Sequence, residues 1–283
     1  MSSGSPAVAI VTDSTCDIPP AIAESLGIRV VPALLTLDGT TFEDGLGLTR
    51  SEFYRRLPSL ARPAQTASPS PHAFQSTYDS AFSAGAQSVV SIHASSRLSG
   101  IFNAASHAAK AFGDRVVALD GQHVSMAPGF QAVVAAEATR DGAPFEAVVR
   151  LAEKAREAVR LVAMIDTLEY LKRSGRVTWV RAGLGDLLRV KLLIAVVDGL
   201  VKRIDHIRTK ARALERLDSI ARSWGASDRL AILHSGVPQE AQALGERLRE
   251  LTPLPPVFAD VTPLIGAHVG PGSLGLTALL AQG

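Results

Sequence analysis

Through the first half of the chain, short apolar runs rich in β-branched residues alternate with runs whose apolar positions recur every three or four residues. Residues 7–11, 28–36, 88–93 and 116–120 read as strands. Residues 18–26, 72–84, 100–112 and 129–139 read as helices, the first of them ended by Gly27. Thr49 opens a further helix, with Glu52 three residues on as its capping-box partner. Strands and helices alternating at this spacing predict βαβ units and a mostly parallel sheet.

The second half has another rhythm. An amphipathic helix over 143–159 leads into a strand at 161–166, and apolar runs at 192–197 and 200–207 flank Asp198-Gly199, a hairpin signal. A helix (210–224), a strand (230–234), a helix (239–251) and a strand (257–261) follow. The fold class is therefore α/β: an N-terminal, mostly parallel α/β domain over residues 7–162 and a C-terminal α+β domain over 163–283. The boundary falls near residues 160–170, without a flexible linker, an internal repeat or a low-complexity tract to mark it.

Composition narrows the function. Of 283 residues, 47% are apolar and 20% charged, enough to build a core and to exclude disorder. The formal net charge is +2 with no long Lys/Arg block, which gives no case for nucleic acid. Cys16 stands alone, so an internal disulfide is excluded and a reducing compartment is expected. It reads as an inert small residue, since no His-bearing signature of a cysteine nucleophile surrounds it. Residues 1–6 lack the features of a signal peptide, and the apolar run 192–197 is too short to span a bilayer. A cytoplasmic protein without a transmembrane segment is expected.

Four segments carry more polar and glycine content than connectors need. Residues 12–17 (Thr-Asp-Ser-Thr-Cys-Asp) follow the first strand, where open α/β sheets bind ligands; equally, Asp17 or Ser14 can cap the next helix. In residues 66–72 (Thr-Ala-Ser-Pro-Ser-Pro-His), two prolines stiffen the chain and project the hydroxyls of Thr66 and Ser68, while Ser70 and Pro71 suit a helix entry. Residues 93–100 run from strand to helix and hold Ser95, Ser96 and Ser99, a ready anion cradle. Residues 266–275 form a glycine-rich loop with His268 near its start and Gly270 and Gly272 behind it. Residues 270–275 match G-x-G-x-x-G, but only eight residues follow, too few for a βαβ unit, so no dinucleotide site is expected. No P-loop, no nucleophile elbow and no metal-ligand spacing is present, and neither a metal nor a cofactor is predicted. Hydroxyls, glycines and one histidine can bind a carboxylate without performing chemistry on it.

Taken in order, these segments resemble the DegV family, which includes the fatty-acid-binding subunits of bacterial fatty-acid kinase. Thr12-Asp13-Ser14 with Asp17, residues 66–74, residues 95–100, the run LEYLKRSGRV at 168–177, and His268-Val269-Gly270-Pro271-Gly272 carry the likeness. The resemblance implies a non-enzymatic protein of two α/β domains, with a long-chain fatty acid bound between them. It implies a carboxylate held by Thr66, Ser96 and His268, with Asp13, Ser14, Ser68, Ser95, Ser99, Gly270 and Gly272 as supporting pocket. It further implies presentation to a kinase catalytic subunit that makes the acyl phosphate for phospholipid synthesis, with transient membrane contact. Lys191-Leu192-Leu193 stands where the family has Lys-Pro-Ile, and Asp120-Gly121 lacks the family's serine after the aspartate; both bear on tunnel shape. About fifteen buried methylenes supply on the order of 12 kcal/mol gross, reduced by ordering costs.

The basic stretch Lys172, Arg173, Arg176, Arg181 reads either as a docking surface for that partner or as a solvated helix face. Two rival functions are carried forward. One is a hydrolase or transferase acting on a small acid or acyl phosphate, with a serine paired to His268 and Asp13. The other is a regulator in which lipid is only a structural ligand.

Overall fold

The computed structural model describes residues 7–175 and 190–281. The chain forms two compact units, each assembled from two stretches of sequence.

The first unit comprises residues 7–33 and Ser68–Glu157. Its sheet has the order β2-β1-β6-β7, with β1 Val8–Asp13, β2 Arg29–Val31, β6 Ser88–His93 and β7 Val116–Asp120, all parallel. Every residue of β1 is buried, as expected for a strand covered on both faces. The helices are α1 (Pro20–Ser25), α3 (Pro71–Ser83), α4 (Ile101–Ala109), α5 (Met126–Arg140) and α6 (Phe145–Ala158). Ser70 caps α3 by accepting from the Ala73 amide at 3.2 Å, and Pro71 is its first residue, so the helix-entry reading of that segment holds. Neither Ser14 nor Asp17 caps α1, whose N-cap is Pro19.

The second unit comprises Leu34–Ala67 and the described residues from Ala158 onward. Its six-stranded sheet has the order β10-β9-β8-β13-β11-β12. The strands are β8 Val159–Ile165, β9 Lys191–Val197, β10 Leu200–Ile207, β11 Ser227–His234, β12 Val257–Asp260 and β13 Leu274–Leu280. Only β11 and β12 pair in parallel. Helices α8 (Lys210–Ser223) and α9 (Pro238–Arg247) contribute Ala213, Leu217 and Leu244 to a core with Met164, Leu193, Ile232 and Leu276. A second core joins Leu168 and Leu171 with Ile165, Leu192 and Ile194, and Val269 packs against it. Leu168 is the N-cap of α7 (Glu169–Ser174), which carries Leu171, and Val269 ends α10 (Pro263–Val269).

Three features depart from the sequence reading. The strand expected over 28–36 is two strands, because Pro32 has no amide hydrogen to continue a ladder. Its second half, β3 (Leu34–Leu37), pairs with β4 (Thr40–Glu43) and β5 (Gln65–Ala67) in an antiparallel sheet belonging to the second unit. The division is therefore not the contiguous 7–162 and 163–283: residues 34–67, including α2 (Arg50–Arg56), join the later unit. There Leu35, Phe53 and Tyr54 share a core, with Tyr170 and Ala267 packed against it. Finally, β13 was not anticipated, although it lies inside the sheet between β8 and β11. Its sequence, LGLTALL, shows no alternation, because the strand is buried along nearly its whole length.

Candidate functional site

Asp13 closes β1 and His93 closes the neighbouring strand β6, which brings their side chains together. His93 Nδ1 lies 2.9 Å from Asp13 Oδ2. A carboxylate only accepts, so the ring carries its hydrogen on Nδ1 and accepts on Nε2 from Ser91 Oγ, 2.6 Å away. Ser91 in turn accepts from the Tyr78 hydroxyl at 2.9 Å. The other oxygen of Asp13 takes the hydroxyl of Thr15 and its amide, the latter at 2.9 Å. Tyr78, Ser91, His93 and Asp13 are each at most 1% exposed. The order Ser–His–Asp matches a hydrolytic triad, yet Ser91 is sealed from solvent and no acyl group can reach it. The chain of hydrogen bonds instead fixes the carboxyl ends of β1 and β6. Asp13, which the hydrolase reading pairs with His268, has His93 as its ring partner.

Cys16 belongs to the same buried layer. Burial, followed by the charge of Asp13, pushes its thiol well above the usual range, and the Thr12 hydroxyl donates to its sulfur at 2.8 Å. It is an inert thiol in its setting. Ser14 is buried and accepts from the Ala33 amide at 3.1 Å.

The expected serine cradle already holds an anion, and it is the protein's own. Ser96 donates its hydroxyl to Asp120 Oδ2 at 2.5 Å, and its amide points at the same carboxylate at 3.3 Å. Asp120 also accepts from the Gln122 amide at 2.9 Å. Ser96 is half-buried, whereas Ser95 is fully buried, with its amide on the His123 carbonyl and its hydroxyl accepting from the Arg97 amide. Ser99 accepts from the amide of Ile101, the first residue of α4. Ser68 lies against the same helix entry: a Cβ on Gly100 would sit 3.3 Å from its Oγ. The sequence reading missed Asp120 as a partner, although an aspartate at a strand end opposite a serine loop was a usable signal.

In the second unit, two predicted residues from distant parts of the chain meet. Thr66 lies on β5, opposite Leu35 of β3, and His268 sits in the last turn of α10 rather than in a loop. Thr66 Oγ1 is 3.4 Å from His268 Nε2, across a sequence separation of 202, and both residues are half-buried. At that distance their mutual hydrogen bond is weak. The glycine loop is confined to the residues just after α10. Gly270 has φ of 74°, and a Cβ there would fall 2.4 Å from the Tyr170 ring, so only glycine fits. Gly272 (φ 80°) passes beside Asp166, whose carboxylate is 2.9 Å from Lys191 Nζ.

A charged cluster that the sequence reading did not single out lies at the carboxyl ends of β11 and β12. His234 Nδ1 is 3.3 Å from Asp260 Oδ1, and Arg50 donates to the Asp260 carbonyl. Burial lowers the pKa of His234 and raises that of Asp260. Of the two residues expected to dock a partner, Arg173 is exposed and paired with Glu169 at 2.6 Å, the geometry of a solvated helix face. Arg176 lies outside the described residues, as does Arg181. Among the described residues, no group of three or more His, Cys, Asp or Glu could hold a metal ion, and no helix is long and apolar enough to cross a membrane.

Comparison with known proteins places these features in a family. The DegV family model matches residues 7–281. A DegV domain-containing protein of Streptomyces coelicolor is 37% identical over 273 residues, covering 95% of this chain and 97% of its own. A DegV family protein from Thermus thermophilus, described by its fatty-acid binding, superposes with a TM-score of 0.89 at 31% identity, covering 97% of this chain and 99% of that one. DegV of Bacillus subtilis, described as a fatty-acid-binding protein, gives 0.85 at 29% identity, covering 98% of this chain and 100% of that one.

Proposed function

This chain belongs to the DegV family, and we propose on that footing that it binds a long-chain fatty acid without chemically altering it. The observation that carries the reading is the Thr66–His268 pair: two half-buried donors 3.4 Å apart, drawn from segments that resemble the family's polar motifs. A carboxylate oxygen accepting from both gains two charge-assisted hydrogen bonds, each worth about 1.5–3 kcal/mol. Ser96 is the third proposed ligand. It can serve by turning its hydroxyl from Asp120 toward the ligand, while the Ser96 and Gln122 amides keep Asp120 satisfied. Ser68, Ser95 and Ser99 support the loop around Ser96, and Asp13 and Ser14 brace the strand end beneath it. The acyl chain contributes through burial, about 0.8 kcal/mol per methylene.

The bound acid is presented, in this proposal, to a kinase catalytic subunit that phosphorylates its carboxylate, with Arg173 and Arg176 proposed as residues that dock it. Arg173→Glu then weakens partner binding and leaves lipid affinity unchanged; an unaltered complex removes Arg173 from the reading.

The deciding experiment is mass spectrometry of an organic extract of the purified protein, followed by reloading of delipidated protein with a panel of fatty acids. One fatty acid per chain is expected. An empty extract together with failed reloading would overturn the proposal.

A further inference from the structure

Three successive residues, from the last of β12 to the one before α10, are each held by a residue of the segment 44–54. Arg50 donates to the Asp260 carbonyl, Tyr54 donates to the Val261 carbonyl at 2.7 Å, and Thr262 donates its hydroxyl to Asp44 Oδ2 at 2.5 Å. Thr262 also starts α10: its Oγ1 accepts from the Leu264 amide at 3.3 Å and its carbonyl from the Gly266 amide at 2.8 Å. The helix is then pressed directly onto the segment. A Cβ on Gly266 would lie 2.5 Å from the Tyr54 hydroxyl oxygen and 2.9 Å from the Phe53 ring, so glycine is what lets the two approach. Tyr54 thus grips α10 two residues before His268.

The same aromatic pair faces the other half of the proposed site. Phe53 and Tyr54 share their buried cluster with Leu35, and Leu35 is the residue paired with Thr66 across β3 and β5. Ala267, next to His268, packs against that cluster too. Residues 44–54 therefore bind the strand system that carries Thr66 and the helix that carries His268. We infer that this segment is a clasp that sets the separation between Thr66 Oγ1 and His268 Nε2, with Tyr54 and Asp44 as its positioning residues. Only the lipid readout of the inference rests on the carboxylate reading above; the geometric claim does not.

The test uses the full chain, delipidated and labelled with ¹⁵N-histidine, with the His268 ring signals assigned through His268→Gln. Tyr54→Phe keeps the ring and deletes the hydroxyl that holds Val261. Leu217→Ala, on the core face of α8 and outside the clasp, is the control for general destabilisation. Tyr54→Phe is expected to move the His268 ring resonances and to weaken palmitate binding about tenfold, the loss of one buried hydrogen bond. Leu217→Ala should move neither. Unmoved His268 signals in Tyr54→Phe, or an equal movement in Leu217→Ala, overturn the clasp. If the signals move only in Tyr54→Phe, yet palmitate binds His268→Ala as tightly as wild type, the clasp stands and the carboxylate reading falls. Should Tyr54→Phe fail to fold, Asp44→Ala is read the same way.

Discussion

His93 and Asp13 form a fully buried pair, with Nδ1 and Oδ2 2.9 Å apart, that joins two adjacent parallel strands at their carboxyl ends. Continued through Ser91 to Tyr78, it is a polar chain in which each hydrogen has an acceptor. Such a chain costs little when complete and a great deal when one member is removed.

Asp13→Ala should therefore destabilise the fold by about 3 kcal/mol, since it strands the His93 Nδ1 hydrogen and the Thr15 amide in an apolar layer. Equilibrium urea denaturation measures this. A loss below about 1 kcal/mol would mean that the chain does not brace the sheet.

The Thr66–His268 pair gives a separate, functional prediction. Both residues are half-buried, so His268→Ala and Thr66→Val should change thermal stability little while lowering fatty-acid affinity, each by about tenfold or more. Titration of delipidated protein with a fatty acid is the check. Affinity unchanged in both variants would take the carboxylate away from this pair.

Stability should depend on pH through His234. Burial depresses its folded-state pKa below the unfolded value near 6.5, so the folded protein binds the proton less well than the unfolded chain. Its contribution is complete above that value and is lost as pH falls below it toward the folded pKa. Asp260, raised by burial, works in the opposite sense above its unfolded value near 3.8, where the folded state takes up the proton more readily. Denaturation midpoints should therefore decline as pH drops through about 6.5, and His234→Gln should flatten that part of the profile. An identical slope in the variant would assign the dependence to another group.

Cys16 should resist thiol reagents at mildly alkaline pH until the protein unfolds, because burial and the Asp13 charge hold it protonated. Its labelling rate should follow the unfolding curve in urea. Rapid labelling of the native protein would contradict the buried placement.

Much of this protein could be read from its sequence. The alternation of apolar and amphipathic runs was enough for the parallel sheet of the first unit, and Asp198-Gly199 for the hairpin, where both residues adopt the positive φ of a type I′ turn. Ser70 and Pro71 announced the start of α3, whereas Thr66, Ser96 and His268 are a set only through the resemblance of their segments to the family's motifs. These features are local: a cap, a turn or a strand follows from residues a few positions apart. Tertiary structure alone decided the rest. It moved residues 34–67 into the later unit, and it set β13 between two antiparallel partners. It also gave His93 to Asp13, Asp120 to Ser96, and Tyr54 to Val261. The His93–Asp13 and Tyr54–Val261 pairings leave no local pattern, because each is made by groups that strand order and helix packing bring together from remote parts of the chain. The Thr66–His268 contact, 202 residues apart in sequence, exists only because β5 and α10 pack in one unit.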